Sequence, residues 1–208
     1  MRRAKNCLII TDIQNDFCPG GALAVAEGDR IVPIVNKLSH KFDKVVATQD
    51  WHPPGHVSFA STHKKNPYEV ITIDGIQQVL WPDHCVPGSF GAEFHKDLDL
   101  RKVDLIIRKG SHLNIDSYST FRENDKKTFT GLHYYLQGLA IKDLYFCGLA
   151  TDYCVYYSAL DAGEMGFNVY VILDACRGVD VPAGNIDAAI REMKERGIRI
   201  LNHNELEW

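Results

Sequence analysis

Five short apolar runs, each dense in Val, Ile or Leu, set the strongest limit on what this chain can fold into. They are Cys7-Leu-Ile-Ile-Thr-Asp12, Lys44-Val-Val-Ala-Thr-Gln-Asp50, Val103-Asp-Leu-Ile-Ile-Arg-Lys109, Asp143-Leu-Tyr-Phe-Cys-Gly148 and Asn168-Val-Tyr-Val-Ile-Leu-Asp174, with a sixth at Ile198-Arg-Ile-Leu201. Near-continuous apolar runs of this length fit strands buried on both faces of a parallel sheet. Between them lie residues at helical spacing: Ile31, Ile34, Val35 and Leu38; Val155, Ala159, Ala162 and Met165; Ile186, Ala189, Ile190 and Met193. Pro182 is expected in the first turn of the last of these helices and Gly197 just past its end. The alternation predicts an α/β fold: a doubly wound, mainly parallel six-stranded sheet with helices on both faces.

Residues 1–208 are expected to form one domain, since 208 residues lie near the usual size of a single core and no repeat or linker divides them. Lys and Arg total 23 against 27 Asp and Glu, a net charge of −4, which argues against a nucleic-acid partner. Arg2, Arg3 and Lys5 precede an apolar run far too short for a signal peptide or a membrane span, so the expected location is the cytoplasm, with no membrane partner. The six cysteines contain no C-x-x-C pair and are expected to be thiols. The sequence leaves the oligomeric state open, a homo-oligomer included. Residues 50 to about 104 break the alternation, and five of the nine histidines and two of the three tryptophans fall there. This stretch is expected to be an ordered loop region that builds a site.

In open parallel sheets, ligands bind at the carboxyl ends of strands where the strand order reverses. Asp12, Asp50 and Lys109 end the first three runs, and Cys154 follows the fourth at the start of a helical stretch. Amides at a helix start stabilise a thiolate or a developing oxyanion. Asp12 is placed to take the thiol proton, with Lys109 holding that carboxylate ionised or stabilising charge on the substrate. Cys7 and Cys147 fall inside strands and read as structural; Cys18, Cys85 and Cys176 stay undecided. Asp50, His52 and His84 offer one carboxylate and two imidazoles, a common open site for a divalent metal, although the H-x3-H spacing of His52 and His56 competes with it. His63, His95, His112, His133 and His203 read as ordinary polar residues.

Asp12-Ile-Gln-Asn-Asp-Phe17, Gln49-Asp-Trp-His-Pro53, Trp81-Pro-Asp-His-Cys85, Arg108-Lys-Gly110, Gly148-Leu-Ala-Thr-Asp-Tyr-Cys-Val155 and Cys176-Arg-Gly-Val179 occur together in this order. In order and spacing they resemble the nicotinamidases, within the isochorismatase-like cysteine hydrolases, over essentially the whole chain. The resemblance implies a catalytic triad of Asp12, Lys109 and Cys154, and metal ligands Asp50, His52 and His84. It implies a cis bond between Leu149 and Ala150 that makes an oxyanion hole of the Ala150 and Cys154 amides, and a pyridine pocket walled by Phe17, Trp81 and Tyr118. His56 reads as a supporting neighbour of the metal, and a fourth protein ligand is not placed. The implied cofactor is one divalent metal ion, Zn2+ foremost, with Fe2+ or Mn2+ as alternatives. The implied reaction is hydrolysis of nicotinamide, and of pyrazinamide, through a cysteine thioester in NAD salvage. Two other readings remain: another carbamoyl or amide hydrolase of the same superfamily, and a non-catalytic metal- or ligand-binding domain, against which the complete triad weighs.

Overall fold

A computed structural model describes residues 6–206. The six apolar runs become six strands: β1 (Asn6–Thr11), β2 (Lys44–Asp50), β5 (Leu105–Lys109), β6 (Asp143–Leu149), β7 (Asn168–Arg177) and β8 (Arg199–Leu201). They form one sheet in the order β5-β2-β1-β6-β7-β8, and every pairing is parallel, where the sequence led us to expect only a mainly parallel sheet. Burial follows the order. β1 and β2 are buried along nearly their whole length, while β5, at the edge, alternates half-buried with exposed. Strand order reverses between β1 and β6, so the chain leaves the centre first toward β5 and then toward β8, and a crevice opens at the carboxyl ends there.

The helices are α1 (Val32–Ser39), α2 (Leu132–Gly138), α3 (Tyr156–Glu164) and α4 (Asn185–Glu195). α1 buries Val32, Val35 and Leu38, one stripe at helical spacing, against β1 and β7. α3 packs on β7 and on α4. α2 carries no long apolar stripe and goes unread in the sequence; it is held by Leu132 and Leu136, both fully buried.

Two expectations need correction. Pro182 lies outside the last helix: its bond to Val181 is cis, and α4 starts at Asn185 after Gly184 in a left-handed conformation, leaving Pro182 in the preceding loop. The segment from 50 to 104 is not wholly irregular either. It holds a separate antiparallel hairpin, β3 (Val70–Ile73) with β4 (Ile76–Val79), in which Ile73 pairs with Ile76 across Asp74-Gly75. Both turn residues have positive φ, +49° and +81°, the two-residue hairpin geometry that an Asp-Gly pair accepts.

Candidate active site

β1 ends at Thr11, and Asp12 adopts φ +46°, turning the chain away from β2 at the point where the strand would otherwise continue. Asp is among the residues that tolerate this left-handed region. Its fully buried carboxylate accepts a hydrogen bond from Thr48 Oγ1 at 2.5 Å on β2 and lies 2.9 Å from Lys109 Nζ. Lys109, at the end of β5 and also fully buried, donates to the Asp50 carboxylate and to Ser117 O at 3.1 Å, and its Nζ stands 3.4 Å from the Cys154 sulfur. Side-chain ligand atoms of Asp12, Asp50 and Cys154 all fall within 4.8 Å of one another. The strand ends therefore bring together one thiol, one ammonium and two carboxylates.

Cys154 sits in a wide π-helical turn, Thr151–Val155, that leads into α3. The bond between Leu149 and Ala150 is cis, and the Ala150 carbonyl accepts from the Tyr153 and Val155 amides at 3.1 Å each. The helix-start position led us to expect a stabilised thiolate. In the structure, burial pushes the Cys154 thiol well above its ordinary value, with Lys109 pulling the other way and Asp12 and Asp50 adding to the rise. A resting thiol of this kind needs a base. Burial raises Asp12, against the opposing pull of Lys109, while for Asp50 the attraction of Lys109 and His52 outweighs burial and holds the carboxyl well below its usual range. The two acids thus differ: Asp50 is a fixed anion and Asp12 is the one suited to gain and lose a proton.

Asp50 Oδ2 faces His52 Nε2 at 3.4 Å and His84 Nε2 at 3.8 Å. The opposite ring nitrogens are both engaged, His52 Nδ1 with Gly110 O at 2.9 Å and His84 Nδ1 with Pro82 O at 2.7 Å. A carbonyl accepts, so each Nδ1 carries a proton and each Nε2 is the ring nitrogen that faces Asp50, the orientation of metal-binding histidines. The donor set of one carboxylate oxygen and two imidazole nitrogens, within 4.8 Å of one another, fits a divalent ion. Gly110, with φ +63°, is required beside it, since a Cβ there would come within 2.3 Å of the His52 ring. His56 does not join this set: its Nδ1 meets Ser58 Oγ at 2.7 Å and its Nε2 meets Ile115 O at 3.2 Å, and its ring stacks on His52 at 4.2 Å between centroids. Burial, together with His52, lowers its pKa to about 4, so it packs as a neutral ring.

Between the thiol and the histidines lies a pocket lined by Phe17, Leu23, Trp81, Tyr118, Tyr153 and Val179, with Ala150, Cys154, Asp50, His52, His84 and Asp116 around it. Phe17 meets His84 edge to face at 5.5 Å; Trp81 stands at right angles to Tyr153 at 4.8 Å and donates its indole N–H to Tyr118 OH at 3.2 Å. The three aromatic residues singled out in the sequence all reach this pocket. Tyr153, Leu23, Val179 and Asp116 were not singled out, although Tyr153 immediately precedes Cys154. Asp116 lies in an irregular stretch after β5 with no periodic signal; it is buried and accepts from Gln78 Nε2 at 2.7 Å. The six cysteines are all free and buried, and Cys85, beside His84, accepts the His52 amide on its carbonyl at 3.1 Å.

The isochorismatase domain family matches residues 6–205. The nicotinamidase of Acinetobacter baylyi is 51% identical over 209 residues, covering 99% of this chain and 97% of that protein. Among solved structures, the nicotinamidase and pyrazinamidase of Acinetobacter baumanii superposes with a TM-score of 0.96 at 47% identity, covering 100% of both chains. The pyrazinamidase of Pyrococcus horikoshii in complex with zinc gives 0.78 at 40% identity, covering 95% of this chain and 99% of that one.

Proposed function

The chain belongs to the isochorismatase domain family, and on that premise we propose that it is a metal-dependent nicotinamidase, hydrolysing nicotinamide to nicotinic acid and ammonia in NAD salvage, and pyrazinamide as an analogue. The observation that carries this reading is a nucleophile and a metal-type donor set facing each other across one aromatic pocket, with Lys109 touching both halves. When bound by Asp50, His52 and His84, a divalent ion, Zn2+ foremost, supplies a Lewis-acid anchor for the pyridine nitrogen.

The protein's own groups then do the following. Phe17, Trp81 and Tyr118 hold the ring and exclude water, which converts binding into alignment of the carboxamide on sulfur. Asp12 takes the thiol proton as Cys154 attacks the amide carbon, and Lys109 offsets the charge that forms beside it. The Ala150 and Cys154 amides hold the oxyanion. Asp12 returns its proton to the departing ammonia, leaving a thioester. Water, deprotonated by Asp12, cleaves that thioester to release nicotinic acid and restore the thiol. The six free thiols suit a reducing compartment, which supports a place in the cytoplasm.

The test is ammonia release from nicotinamide by metal-loaded protein, compared with Cys154→Ala. Turnover by the wild type and none above background by the variant is the expected result. Equal rates would remove this reading.

A further inference from the structure

We propose that Gln14 is a positioning residue for the metal site, acting through the backbone of Asp50; this rests on the metal role proposed for Asp50 above. On its β5 side, β2 stays paired to its end, with Asp50 opposite Lys109 and the Trp51 amide donating to Lys109 O at 2.9 Å. On its other side, the β1 ladder pairs Ile10 with Ala47 and then stops, because Asp12 turns the chain away. Asp50 is thereby left with an amide and a carbonyl pointing to where β1 would have run. Both are in a buried setting, where unpaired backbone groups are costly.

Gln14 fills that place with its side chain. Its Oε1 accepts the Asp50 amide at 2.8 Å and its Nε2 donates to Asp50 O at 2.9 Å, the pair of bonds a neighbouring strand would have made. The same Nε2 donates to Ala92 O at 2.9 Å, tying the arrangement to the loop that follows the hairpin. Gln14 is fully buried and does not line the pocket, and its side chain reaches the site through the Asp50 backbone. The reason for this demand lies in the site. Asp50 directs one carboxylate oxygen to Lys109 and the other toward His52 and His84, and a rotation of its backbone would spoil one contact or the other. The residue that bends β1 away, Asp12, and the residue that replaces the lost strand, Gln14, are two positions apart. The spacing of the proposed base and the proposed metal ligand is thus set by one short segment.

The experiment compares Gln14→Met, which keeps the bulk and removes all three bonds, with Gln49→Met. Gln49 Nε2 also donates to Ala92 O, at 3.0 Å, but makes no bond to the Asp50 backbone. Zinc affinity is measured by chelator competition on each purified protein, alongside the thermal midpoint and, at saturating zinc, kcat and KM for nicotinamide. Both variants should melt lower. Only Gln14→Met should bind zinc more weakly, by about 10–100-fold, the usual effect of removing a group that orients a metal ligand, with activity recovering as zinc is raised. Should Gln14→Met fail to fold, Gln14→Asn, whose shorter amide cannot reach both Asp50 groups, is expected to show the same loss in smaller degree. Unchanged zinc affinity in a folded Gln14 variant, or an equal loss in Gln49→Met, overturns the assignment. A wild type that binds no zinc would instead refute the metal role on which it rests.

Discussion

Lys109 Nζ stands 3.4 Å from the Cys154 sulfur while it also serves two buried carboxylates, Asp12 and Asp50. One ammonium therefore belongs to both halves of the centre. Burial alone would drive it neutral, but Asp12 and Asp50 outweigh that and hold it charged, well above its ordinary pKa. Breaking a buried ion cluster by removing one member leaves the others uncompensated.

Lys109→Met should accordingly cost far more than a surface charge. We expect kcat/KM for nicotinamide to fall by on the order of 10²–10⁴, the range for a group that assists proton transfer, and alkylation of Cys154 by iodoacetamide to slow in parallel. Lys109→Arg should not restore the rate, because a planar guanidinium does not reproduce a compact charge held among three groups. Stopped assays of ammonia release and mass-spectrometric alkylation rates check both statements. An alkylation rate equal to the wild type's would show that the lysine does not act on the sulfur.

The two histidines nearest His52 should behave oppositely. His84 turns its Nε2 toward Asp50 Oδ2, 3.8 Å away, whereas both nitrogens of His56 are bonded to Ser58 Oγ and Ile115 O. His84→Ala should lose most of the bound metal and raise KM, while His56→Asn should keep close to one metal per chain with some loss of stability. Elemental analysis of the two purified variants decides, and a metal-free His56→Asn would place that residue among the ligands.

Gly110→Ala should injure the same site from the backbone side. The added Cβ would lie 2.3 Å from Cε1 and 2.6 Å from Nδ1 of His52, in a left-handed conformation that itself costs a non-glycine residue on the order of 1 kcal/mol or more. The ring must move, and its bond to Gly110 O goes with it. A lower thermal midpoint together with weaker metal retention is the expected pair of results; a lower midpoint with unchanged metal affinity would show that His52 adapts.

The parts of this site legible in the sequence are those that sit on regular structure. Asp12, Asp50 and Lys109 close apolar runs, so a parallel sheet alone carries them to one edge, and Cys154 follows a fourth run at a helix start. The hairpin was hidden because its four-residue strands alternate too briefly to show a period, although Asp74-Gly75 carried the turn signal. Asp116 and Gln14 were not legible for a different reason. Their roles depend on what a neighbouring strand leaves unpaired or what a loop brings near, and no local pattern encodes that. Pro182 was misread since a proline near a helix start usually occupies its first turn, whereas here it belongs to a loop gripped by Asp152, which accepts from the Val179 and Asp180 amides at 2.9 Å each, and by Tyr153, whose hydroxyl donates to Val181 O at 2.6 Å.

Glu123 gives the fold a pH dependence whose direction is set by burial. Its side chain is only 5% exposed, its Oε2 has no hydrogen-bond partner, and His112 Nδ1 stands 3.8 Å from Oε1. Burial, with Asp116 and Asp125 adding to it and Lys109 opposing, lifts its pKa from 4.5 to about 7. The folded state therefore holds this proton more tightly than the unfolded chain does. Its contribution is fully favourable below about pH 4.5 and is lost as pH rises to about 7, by on the order of 3 kcal/mol in total. Glu123→Gln keeps the shape and removes the titration, so its stability relative to wild type should grow between pH 4.5 and 7 and stay level above that. Urea midpoints of both proteins at pH 5, 6, 7 and 8 measure the difference, and parallel curves would show that Glu123 titrates in the folded protein as it does in an unfolded one.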